Sequence, residues 1–112
     1  MSSCRKTSQA PEMLSFFRHR KAIRGAAEAL VLMISTHLAP NAFKGEDDRH
    51  ALALIRRVAE QSKQFTHGKK LGYFAKAYLT NKVKWGLHDL SYPNEFIEMV
   101  TFAMVMSFNG NQ

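Results

Sequence analysis

The spacing of apolar residues constrains this chain more than any other feature. Between Met13 and Phe108 they recur at steps of three, four and seven, the period of an α-helix. They nowhere alternate with polar residues for more than four positions, as a half-buried strand would require. The expected fold is therefore all-α: a compact bundle of four to five helices. A chain of 112 residues fits one domain. Residues 11–112 are read as that domain. Residues 1–10 are polar and small, and read as a disordered N-terminal lead.

The elements follow from period and punctuation. Pro11 suits a first helical position, where its missing N–H costs nothing. Phe16, Ile23, Ala27, Leu30 and Ile34 then share one side. That stripe passes through Gly25 in phase, so one helix is expected rather than two. Pro40 ends it by biasing Ala39 away from helical geometry. Glu46, Asp47 and Asp48 precede the next period, where carboxylates serve free N–H groups. A second helix over about 47–65 buries Ala51, Leu54, Ile55, Val58 and Phe65, and stops at His67-Gly68. A third, 69–85, is expected to bury Leu71, Phe74, Tyr78 and Trp85, with Gly86 ending or kinking it. The short break before it predicts an antiparallel helical hairpin with the second helix. The second helix is too long for a helix-turn-helix motif. Ser91-Tyr92-Pro93-Asn94 is a turn, and a last helix runs from Phe96 to Phe108. The predicted core is Phe16, Ile23, Leu30, Ile34, Leu54, Ile55, Val58, Phe74, Tyr78, Trp85, Phe96, Val100 and Phe108.

The last helix is apolar almost all round. Such a helix must be buried all round, and a small bundle seldom achieves that. It is expected either to run through the centre of the core or to present one side to a second copy or another protein. Met99, Ala103 and Met106 form the candidate protein interface, because methionine adapts to varied surfaces. Neither Ala26–Leu38 nor Phe96–Phe108, each 13 residues, is long enough to span a bilayer, so no membrane partner is expected.

Charge is placed unevenly. The whole chain carries +7, but residues 1–84 hold all 16 basic and six acidic residues, a net +10. Residues 85–112 hold three acidic residues and no Lys or Arg. At 100° per residue, Arg18, Lys21 and Arg24 fall within about 120° of one another. Lys69, Tyr73, Lys76, Thr80 and Lys84 fall within about 80°, and Arg49, Arg56 and Lys63 form a shorter row. Rows of cations suit a backbone of repeating phosphates, each contact displacing a counterion. Tyr73 offers a ring for stacking on a base. Ordinary solvation of a small domain and an acidic protein partner are the competing readings of these rows.

Signatures of catalysis are missing. Cys4 stands alone, so no intrachain disulfide forms, which fits a reducing cytoplasm. Arg5 and Lys6 are not followed by the apolar run of a signal peptide. Gly68-Lys69-Lys70-Leu71-Gly72 lacks the spacing of a phosphate loop. His19, His37, His50, His67 and His88 are spread singly, without zinc-ligand spacing, so neither metal nor cofactor is expected. His88-Asp89 are neighbours that point apart on a helix. In composition the chain resembles small basic all-helical subunits of nucleoprotein complexes, and phage or plasmid accessory proteins. The expectation is a non-enzymatic protein that engages DNA or RNA with little sequence preference. The alternative is a protein-interaction module, an inhibitor or assembly subunit, that works through its apolar last helix and forms a homodimer or joins a larger assembly.

Overall fold

The computed structural model of the protein describes the backbone of residues 2–109 and the side chains of 17–108. Four α-helices, α1 (Ser2–His37), α2 (Arg49–Gly68), α3 (Tyr73–Asp89) and α4 (Asn94–Asn109), are joined by short connections. The first connection holds a 3-10 turn, Pro40–Ala42. Among the described residues there is no strand, and the fold is the expected all-α bundle.

Helix α1 passes through Gly25 without a break. It is assigned from Ser2, ahead of the expected start at Pro11; Ser2 to Ala10 contains no glycine or proline to interrupt a turn. The side chains of that stretch, and that of Phe16, lie outside the described residues. At its other end Ala39 is extended before Pro40, as pre-proline sterics require. The carbonyls left over there are satisfied from distant elements. His50 Nε2 donates to the His37 carbonyl at 2.7 Å. The buried Tyr92 hydroxyl donates to the Leu38 carbonyl, 54 residues earlier in the chain.

Asp48 caps α2. One carboxylate oxygen accepts the Ala51 N–H at 3.1 Å and the other accepts the Lys44 N–H at 3.0 Å. These two backbone donors hold its carboxyl below its ordinary value. Helices α2 and α3 end in the same way. Lys70 N–H donates to His67 O and Leu71 N–H to Thr66 O; Ser91 N–H donates to His88 O and Tyr92 N–H to Leu87 O. This is the Schellman arrangement, which turns the chain through one left-handed residue. Lys70 (φ 54°) and Ser91 (φ 67°) take that position, where glycine is usual. The residue that follows each of them, Leu71 and Tyr92, is buried. The expected stop at His67-Gly68 therefore falls slightly early, since both remain inside α2.

In the bundle α1 packs chiefly on α3, α2 on α4, and α3 on α4. The antiparallel hairpin expected of α2 and α3 does not form: after Gly72 the row Ala75, Leu79, Val83 and Leu87 packs α3 on α1 and α4 instead. Ile23, Leu30, Ile34, Leu54, Ile55, Val58, Phe96 and Val100 are in the core as expected. Tyr78 and Phe108 are half-buried against it. Phe74 and Trp85 are not in it; each is 54% exposed. Helix α3 buries Ala75, Leu79, Val83 and Leu87 instead, a row at steps of four. Smaller side chains on that row let α3 approach α1 closely. The closest point is Gly86, which lies inside α3 rather than ending it. A methyl group there would sit 2.9 Å from Val31 Cγ2 of α1.

Candidate nucleic-acid interface

The predicted basic residues sit on the surface but not on one face. Arg18, Lys21 and Arg24 are exposed along α1. Arg24 also borders a groove between α1 and α3, together with Glu28, Ser35 and Lys82. Arg49 and Arg56 are exposed on α2, and Lys63 is half-buried. Arg56 and Lys63 line a second groove with Ala103 and Met106 of α4. Tyr73, Lys76 and Thr80 line a third groove of about 280 Å³, closed on its far side by Val105 and Phe108 of α4. The five-residue row from Lys69 is shortened at its start. Lys69 follows α2 as its C-cap, with Nζ 6.0 Å from the Phe65 ring centroid, and only the residues from Tyr73 onward belong to α3. Lys76 is half-buried, its ammonium 5.8 Å from the Phe108 ring centroid. Lys84 is exposed.

The outer face of α3 carries a feature that the sequence reading placed in the core. Phe74, Tyr78 and Trp85 lie together, about 140° round the helix from the buried row. Next to them Tyr73 is 73% exposed, and its ring meets that of Phe74 edge-on with centroids 5.7 Å apart. Cations accompany this stripe. Lys82 Nζ lies 5.8 Å from the Tyr78 ring centroid and Lys84 Nζ 5.4 Å from that of Trp85. His88 meets Trp85 edge-on at 5.7 Å. From Tyr73 to His88 the helix holds three lysines and no carboxylate.

Helix α4 is buried on one side and open on the other. Phe96, Ile97, Val100 and Met104 face the core. Of the candidate interface residues, Met106 is exposed, whereas Met99 and Ala103 are half-buried against the core. The open side is centred on Phe102, Val105 and Met106, with Phe102 67% exposed. Of the two expectations for this helix, this arrangement excludes the one wrapped on all sides. Four helices packed mainly in neighbouring pairs leave each with an outer face.

Among the described residues no group of three or more His, Cys, Asp or Glu side chains is placed to hold a metal ion. None of the described helices is long and apolar enough to cross a membrane. Comparison with family models, curated proteins and solved structures finds no match.

Proposed function

We propose that this protein is a non-enzymatic binding protein whose cationic helical surface engages the phosphate backbone of DNA or RNA, largely without regard to sequence, in the cytoplasm. The observation that carries this reading is the spread of exposed cations. Arg18, Lys21, Arg24, Arg49, Arg56, Lys69 and Lys84 are all exposed, in a segment of net charge +10. Such a surface favours a partner whose charges repeat, because each phosphate contact releases a counterion. The cations border grooves on several sides, which suits a strand that wraps or crosses the bundle better than a single docked groove. The test is a salt titration of the full chain against labelled duplex DNA and duplex RNA. Affinity is expected to fall steeply as salt rises. Changing Arg56, Lys69 and Lys84 together to Glu should weaken binding at least about tenfold and flatten the salt dependence by about 0.7–0.9 in log–log slope per lost contact. Binding that ignores salt, or that survives the triple reversal, overturns the reading.

A second reading rests on α4. Phe102, Val105 and Met106 form an exposed apolar patch beside the acidic Glu95 and Glu98. Patches of this kind mark protein contacts. On this reading the chain is an interaction module in a homodimer or a larger assembly.

A further inference from the structure

We infer that the outer face of α3 is a stacking platform for single-stranded nucleic acid, a proposal that rests on the phosphate-binding reading above and specifies the form of polyanion. Phosphate contacts alone require cations; they do not require aromatic rings in water. Yet α3 turns Phe74 and Trp85 outward, with Tyr78 half-buried between them, and its small aliphatic side chains inward. Phe74 and Trp85 are each 54% exposed, while Ala75, Leu79, Val83 and Leu87 fill the core. Exposing these rings has an unfavourable hydration cost that a bundle avoids by rotating the helix. The rotation is fixed here by the close approach at Gly86.

The partner is set by what stands beside the rings. Lys82 and Lys84 flank the stripe on its two sides, each within 6 Å of a ring centroid. Between Tyr73 and His88 there is no negative charge to repel a phosphate. Cations alternating with exposed rings match a chain that alternates phosphates with flat bases. A duplex keeps its bases stacked on each other and offers such a face only its charged edge. A single strand offers both. From Phe74 to Trp85 the stripe runs about 16 Å along the helix. The sequence tolerance proposed for the surface follows as well, since every base has a π-face.

Trp85 is the chain's single tryptophan, so its fluorescence reports on this face. The experiment titrates the full chain with oligo(dT) and with a mixed-sequence duplex of the same length, following Trp85 emission and the anisotropy of labelled oligonucleotide in parallel. Oligo(dT) is expected to quench Trp85 and to bind at least about tenfold more tightly than the duplex. Trp85→Ala should lower oligo(dT) affinity about tenfold or more and leave duplex affinity unchanged, whereas Trp85→Phe, which keeps a ring, should retain most of it. Circular dichroism of both variants should match the parent, since Trp85 lies outside the core. Equal binding of strand and duplex without quenching overturns the platform and leaves the phosphate-binding reading standing. Absence of any binding at low salt overturns both. Blue-shifted Trp85 emission on phosphatidylserine vesicles, with no response to oligo(dT), overturns the platform in favour of a membrane surface.

Discussion

Two residues carry local geometry that elementary chemistry makes testable. Lys70 holds a left-handed backbone, which costs a residue with a Cβ about 1–2 kcal/mol and costs glycine little. Lys70→Gly should therefore stabilise the fold by about 0.5–1 kcal/mol after the entropy of glycine is subtracted, read as a shift in urea midpoint at constant slope. A lower midpoint would show that the Lys70 side chain contributes more than its backbone strain removes. Asp48 sets an acid limit. Its carboxyl lies below the ordinary 3.8 because it accepts the Ala51 and Lys44 N–H groups. Between the folded and unfolded values the unfolded chain binds the proton and the folded chain does not, so stability rises with pH there. The contribution of the cap is complete above about pH 4 and is lost as pH falls through the folded value. Urea midpoints followed from neutral pH downward should show this loss. Asp48→Asn, which keeps an acceptor oxygen but cannot ionise in this range, should remove that part of the acid dependence. An unchanged acid profile in the variant would contradict it.

At the scale of the helix, the same substitution at two glycines should give opposite signs. Gly25 lies on the exposed side of α1, and a Cβ there would meet nothing within 4 Å. Gly25→Ala should stabilise by about 1 kcal/mol through helix propensity alone. Gly86 stands against α1, and its Cβ would lie 2.9 Å from a methyl of Val31, whose branched side chain turns stiffly. Overpacking of this kind costs about 1–3 kcal/mol, enough to cancel or exceed the same propensity gain. Gly86→Ala should thus be neutral to destabilising, and Val31→Ala in the same chain should restore the gain. Thermal denaturation of the four proteins decides it; equal stabilisation at both glycines would mean that α1 and α3 do not approach as described. Gly86 also shows where the sequence was misleading. Glycine near the end of an apolar run signals a stop, and the close approach that it permits becomes visible only once the partner helix is in place. Helix α3 posed the harder problem. It has two apolar stripes of similar strength, Phe74, Tyr78 and Trp85 on one side and Ala75, Leu79, Val83 and Leu87 on the other. Reading by size favours the aromatics; packing against α1 favours the small row. By contrast α1 and α2 each have one stripe, and Ile23, Leu30, Ile34, Leu54, Ile55 and Val58 were legible at once.

For the whole molecule, the cations were legible as a total and as rows, but their distribution round the bundle was not, because that depends on which helices are neighbours. The turns between helices were hidden too, since Lys70 and Ser91 do not announce a left-handed backbone as glycine would. The open side of α4 bears on self-association. Burying Phe102, Val105 and Met106 against a second copy would contribute at roughly 25 cal/mol per Å² of apolar surface, before the costs of association. On the second reading, light scattering across a concentration series should show a dimer that Met106→Lys dissociates without loss of helicity. A mass near 12.7 kDa at every concentration would remove self-association from that reading.

The pairing of α1 with α3 rather than with α2 has a consequence during synthesis. At about 5–20 residues per second, the ribosome completes α1 several seconds before the last turn of α3 is made. Through that interval Ile23, Ala27, Leu30 and Ile34 lack their main partner helix. The hydroxyl that finally ties down the end of α1 belongs to Tyr92, later still. The nascent chain therefore carries an exposed apolar stripe on α1 until α3 and Tyr92 have been translated.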